Sequence, residues 1–197
     1  MTMLTSDHLH RTLPKHEFVA GRMALDFCNT LSRTRLNADW DRALTPRDFL
    51  EWARRGGSDL ERAPTARELA RLHSLRDALA CIFDAVADQR KPTAGDLATL
   101  NAELADARAS ERLVPEDRGF VLADGAQAGI DRFRNAIVCE AADLLTRDVR
   151  RIKRCPDHDC LWLFYDGSKN LSRRWCAMDD CGTKDKVRRF REREGEG

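Results

Sequence analysis

The sequence predicts a mainly α chain with a minor β component: a helical N-terminal domain over residues 1–150 and a small cysteine-bearing domain over 151–197. Three observations predict it. Threonine–acid capping patterns recur before apolar stripes of helical period, a short apolar pair of segments brackets one turn, and four of the seven cysteines crowd into the last quarter. With 197 residues and 42% hydrophobic content, there is enough apolar material for one ordinary core plus a small appendage.

The stretch from Gly21 to Arg35 carries Leu25, Cys28 and Leu31 at helical spacing, with Phe27 on an adjoining face. Thr45-Pro46-Arg47-Asp48 combines an N-cap threonine, proline at the first helical position and an acid three residues after the cap. That helix should end at Gly56-Gly57. Pro64-Thr65 opens the next, whose Leu69, Leu72, Leu75, Leu79, Ile82, Phe83 and Val86 form a broad core-facing stripe. Pro92-Thr93 with Asp96 starts a fourth, carrying Leu97, Leu100 and Leu104. Residues 112–123 read as a hairpin around Glu116-Asp117-Arg118, and residues 127–149 as a last long helix of this domain.

In the C-terminal segment, Cys155 and Cys160 are separated by four residues, as are Cys176 and Cys181. Four thiolates satisfy the tetrahedral preference of Zn2+ and leave no position for water, which predicts one structural zinc. The alternative is two disulfides. The opening residues show no basic and apolar secretory pattern, so a reducing cytoplasm is expected, and metal ligation is the preferred reading. His158 between the first pair is read as solvated, and Cys28, Cys81 and Cys139 as small buried hydrophobes. Leu161 to Tyr165 should form a strand, and a helix should run from about 180 to 193, with Val187 and Phe190 docking on the finger. Two cysteines on a knuckle, a strand, then two more at a helix N-terminus is the plan of a treble-clef finger.

The formal net charge is only +1, but residues 147–197 hold 14 Lys/Arg against 10 Asp/Glu, and the rest of the chain is net negative. The cations cluster around the cysteines, and the candidate DNA contacts are Arg151, Lys153, Arg154, Arg173, Arg174, Lys184, Arg188 and Arg191. In the N-terminal domain Asp26, Asn29 and Arg33 form one polar stripe, a candidate small-ligand site that Trp40, Trp52, Arg76 or Arg132 would join if the fold brought them there. No phosphate-binding glycine loop or nucleophile elbow is present, so a non-enzymatic protein is expected, and no apolar run is long enough for a membrane span, so a soluble one.

Arg154-Cys155, Cys160-Leu-Trp-Leu-Phe, Ser172-Arg-Arg-Trp-Cys-Ala-Met and Cys181-Gly-Thr-Lys resemble the CGNR-type zinc finger. Met23-Ala-Leu-Asp-Phe-Cys-Asn-Thr-Leu, with the matches at 76–79 and 100–104, resembles the ABATE domain that such fingers follow. The resemblance spans roughly residues 17–193 and implies a stress-responsive transcriptional regulator with a sensor-like N-terminal domain and a DNA-binding finger. Its expected partners are double-stranded DNA, a small effector and a second copy of the chain. Thr183-Lys184 replaces the family Asn-Arg, exchanging a planar guanidinium fork for a point charge. The competing reading is a zinc-structured protein-interaction module in which Trp162, Phe164 and Trp175 meet a partner.

Overall fold

A computed structural model describes residues 18–31, 41, 43–125, 129–157 and 159–195. Arg33, Trp40 and His158 lie outside the described residues. The elements are α1 (Met23–Cys28), α2 (Pro46–Arg55), α3 (Ala66–Ala87), α4 (Ala94–Ser110), β1 (Glu111–Glu116), β2 (Gly119–Asp124), α5 (Ile130–Arg147), β3 (Ile152–Arg154), β4 (Leu163–Tyr165) and α6 (Thr183–Gly195). A 3-10 turn at Val149–Arg151 joins α5 to β3, and a π-type turn at Met178–Gly182 leads into α6. The chain is α+β, dominated by helix.

The predicted caps form as the sequence dictates. Thr45 and Asp48 exchange side-chain and backbone hydrogen bonds at the start of α2, as do Thr65 and Glu68 at the start of α3, while Thr93 caps α4 alone. Each satisfies helix N–H groups that have no partner within the helix. α2 stops where Gly57 takes φ of 87°, a left-handed conformation that costs glycine nothing.

α3 is the central helix. It packs against α4, α5 and α1, and it also meets β3. Its predicted stripe is buried from Leu69 to Phe83. Phe27, Phe49, Trp52 and Phe133 form a cluster with ring centroids 5.5–6.4 Å apart, mostly edge to face. Across the polar side, Glu103 of α4 pairs with Arg71 of α3 at 2.7 Å and with Arg134 of α5 at 3.1 Å, tying three helices together. Arg76 binds Asp41 at 2.8 Å and the Thr30 hydroxyl at 3.3 Å, so it is an internal tie, and Arg132 lies exposed on α5.

β1 and β2 pair in antiparallel register, Leu113 opposite Leu122 and Pro115 opposite Phe120, as the hairpin reading predicts. Leu97 is more exposed than its stripe predicts, and of the three single cysteines only Cys28 is buried, with Cys81 exposed and Cys139 intermediate. The N-terminal core does not end at residue 150. Ile152 of β3 and Leu163 of β4, paired strands of the finger, are part of the same buried cluster as the helices.

Candidate metal centre

The four thiols sit at the ends of short, well-anchored segments. Cys155 follows β3, and its N–H donates to the Trp162 carbonyl at 2.8 Å; the Cys160 N–H closes the knuckle onto the Asp157 carbonyl at 2.9 Å. Cys176 precedes the π turn, and Cys181 lies within it. Gly182 follows, and a side chain at that position would have to push aside the exposed Met178 side chain. Trp162 and Phe164 pack against the cysteines, with Trp175 and Ala177 around them, so these aromatics form the small core of the finger.

The four Sγ atoms lie within 4.8 Å of one another. Cys160 and Cys176 are 3.4 Å apart and Cys176 and Cys181 are 3.6 Å apart. Zn–S bonds of about 2.3 Å in a tetrahedron separate sulfurs by about 3.8 Å, whereas a disulfide needs about 2.05 Å. The donor set therefore fits one structural zinc and not a pair of disulfides. Without a metal, hydrogen bonds from the Cys160, Cys176 and Cys181 thiols hold Cys155 far below the usual thiol range. Hydrogen bonding to Cys155 in turn pushes Cys176 and Cys181 up. A dication replaces those protons, so loading releases them.

Around this centre a polar scaffold holds the finger to the helical domain. Asn29 of the α1 segment is 4% exposed and uses both ends of its amide on one residue. Its Nδ2 donates to the Leu163 carbonyl at 2.9 Å, and its Oδ1 accepts from the Leu163 N–H at 2.9 Å. Asp26 accepts from the Ala20 N–H at 3.0 Å. These two residues, expected from the sequence to line a ligand pocket, are internal ties of the junction. The Tyr165 N–H reaches back to the Ala20 carbonyl at 2.8 Å, completing the seam.

The predicted DNA contacts separate into three groups. Lys153 and Arg173 point inward. Lys153 Nζ bonds Asp166 at 2.6 Å and the Leu171 and Arg173 carbonyls at 2.6 and 3.1 Å. Arg173 donates to the carbonyls of Val19 (2.7 Å), Tyr165 (3.0 Å), Trp175 (3.1 Å) and Cys176. Burial pushes the Asp166 carboxyl up, but Lys153 and the Ser168 hydroxyl and N–H more than offset it and hold it at about 2. Arg151 and Arg154 are half-buried, Arg151 on the Asp166 and Ser168 carbonyls and Arg154 against Asp84 and Asp88.

The remaining four are exposed on the finger. Lys184 pairs with Asp180 at 2.8 Å, and Arg188 pairs with Asp185 at 2.6 Å. Arg174 lies over the Trp175 ring at 5.6 Å, and neither it nor Arg191 pairs with a carboxylate among the described residues. Thr183 donates to the Met178 carbonyl at 3.2 Å, so the Thr-Lys replacement is absorbed into the turn and the first turn of α6. Val187 and Phe190, expected to dock on the finger, are 44% and 60% exposed. The reason is length: the finger covers only Asp185 at the start of α6, and the thirteen-residue helix runs on beyond it.

No signal in the sequence marked Asn29, Arg173 or Asp166 as the joints of the molecule. A helical domain completed by a four-cysteine finger defines a zinc-finger protein. The family models agree in both parts: residues 151–194 match the CGNR zinc finger, and residues 21–148 match ABATE, described as "Putative stress-induced transcription regulator". The chain belongs to the ABATE family and carries a C-terminal CGNR zinc finger. No curated protein matches the sequence. Among the described residues no helix is long and apolar enough to cross a membrane.

Proposed function

We propose that this chain is a transcriptional regulator whose finger contacts duplex DNA, with the helical domain serving as the sensing part. The observation that carries the reading is the exposed cationic surface of the metal-anchored finger. Arg174, Lys186 and Arg189 line a groove of about 520 Å³ with Trp175, Met178 and Asp185, the last paired with Arg189 at 2.9 Å, and Arg191 and Arg193 extend the charge along α6. Such a surface suits phosphate contact, which positions a protein on DNA without reading sequence. The contacts assigned to it are Arg174, Lys184, Arg188 and Arg191 from the sequence reading, joined by Lys186 and Arg189. The ties of Lys153 and Arg173 support a positioning role for them, not a DNA contact. One finger offers few base contacts, so a specific regulator of this kind needs a dimer or a second DNA-contacting surface.

A mobility-shift titration of the zinc-loaded chain against duplex DNA at several salt concentrations tests this. Affinity should fall as salt rises, and Lys186→Gln or Arg191→Gln should each reduce the salt slope by about 1. Binding that is absent at low salt, or insensitive to salt, overturns it. The exposure of Met178, Val187 and Phe190 favours a second reading, in which the same helix docks on a protein. Capture of a stoichiometric protein partner without DNA retention would decide for that reading.

A further inference from the structure

At the seam between the helical domain and the finger lies a cleft of about 610 Å³ that the DNA reading does not use. Its walls come from both parts: Gly21 and Arg22 precede α1, Asp148 and Arg151 follow α5, and Tyr165, Lys169 and Arg173 belong to the finger. The Tyr165 ring organises it. The Arg22 guanidinium stacks 4.1 Å from the ring centroid, and Arg151 lies 5.9 Å from the same point. Arg173 enters through its bond to the Tyr165 carbonyl.

Four cations and one carboxylate line this cleft. Asp148 lies 3.5 Å from Arg151 and offsets that charge in part. The Arg173 guanidinium donates to four carbonyls, which satisfy its hydrogen bonds, and pairs with no carboxylate among the described residues, while its backbone N–H donates to Asp166 at 3.0 Å. Arg22 reaches one acceptor, the Gly21 carbonyl at 2.9 Å, and Lys169 is exposed with no partner among the described residues. Nearby, Lys153 already neutralises Asp166. Like charges gathered this closely repel unless an anion joins them. Stacking on Tyr165 holds the Arg22 fork in place before any ligand arrives, which lowers the entropy lost on binding.

We propose that this cleft binds the phosphate or pyrophosphate group of a ligand, with Arg22 and Lys169 as the residues that close on it. A guanidinium fork suits two phosphate oxygens at once, and an ammonium adds a movable point charge. The phosphate has two possible sources, a small free phosphorylated ligand or the backbone of a nucleic acid. Both ask the same chemistry of the site.

The test is calorimetric titration of the full-length, zinc-loaded chain with inorganic pyrophosphate at low ionic strength, on wild type, Arg22→Gln, Lys169→Gln and Arg47→Gln, an exposed α2 position outside the cleft lining. Saturable binding is expected, weakened about tenfold by each cleft variant and unchanged by Arg47→Gln. Absence of saturable binding, or wild-type affinity in either cleft variant, overturns the proposal. The source is read in the same series. If duplex DNA displaces pyrophosphate and itself binds more weakly to both cleft variants, the phosphate is that of the nucleic acid. If DNA affinity is unchanged while pyrophosphate binding is lost, the ligand is a small free phosphate compound. The titration contains no DNA contact through α6, so its failure leaves the DNA reading standing, and the α6 variants test that reading separately.

Discussion

Replacing Asn29 by alanine should separate the finger from the helical domain more effectively than any surface substitution. The side chain is buried and satisfies both the N–H and the carbonyl of Leu163, a residue 1% exposed. Alanine leaves two buried backbone groups without partners, at about 1–3 kcal/mol each, so the total cost is about 2–6 kcal/mol. Domains have about 5–15 kcal/mol in all, which makes this a large fraction. At about 2–4 °C per kcal/mol for a chain of this size, the melting temperature should fall by roughly 4–24 °C. Urea and thermal unfolding of the zinc-loaded chain, followed by far-UV circular dichroism and tryptophan fluorescence, measure it. Asn29→Asp sharpens the test, because it keeps an acceptor for the Leu163 N–H but turns a carboxylate oxygen toward the Leu163 carbonyl. It should be at least as destabilising as alanine. An alanine variant within about 0.5 kcal/mol of wild type, the range of a neutral surface change, would refute the reasoning.

Three further outcomes follow from the geometry. Metal analysis should give one zinc per chain, and Cys155→Ser should abolish stoichiometric loading and expose Trp162 and Trp175 to fluorescence quenchers, since these rings pack on the cysteines. Phe190→Ser should change stability by less than about 0.5 kcal/mol, because the ring is 60% exposed; a loss several times larger would mean that α6 docks. Glu68, hydrogen-bonded by Arg62 and by Thr65 at the start of α3, is held at about 2 against an ordinary 4.5. The stability it contributes is fully present above pH 4.5 and is lost as pH falls through about 2. A carbon-13 titration of its carboxyl that centres near the ordinary value would contradict the Arg62 bond, the largest cause of the shift, and the Thr65 cap bonds that add to it.

What the sequence made legible was local. Thr45, Thr65 and Thr93 announce their helices because a cap and its acid are three residues apart, and the four cysteines announce their metal because spacing and chemistry suffice. The two apolar segments flanking Glu116-Asp117-Arg118 likewise mark their own hairpin. Asn29 was not legible as a joint, since its partner Leu163 lies 134 residues away on a strand of three residues. Charge clustering marked Lys153 and Arg173 as cations but says nothing about direction, and both turn inward onto carbonyls. A helical wheel placed Val187 and Phe190 on one strip; it could not say that the finger is too short to cover them.

The sharing of one core between α1 and β4 also sets the order in which the molecule can be made. During synthesis Asn29 emerges early, and Leu163 follows 134 residues later. At about 5–20 residues per second, that interval is on the order of 7–27 s. Through it the α1 segment has neither its backbone partner nor the two apolar residues, Ile152 and Leu163, that complete its core. Zinc cannot close the finger until Cys181 has appeared, later still. The seam between the helical domain and the finger therefore cannot close until both have been made.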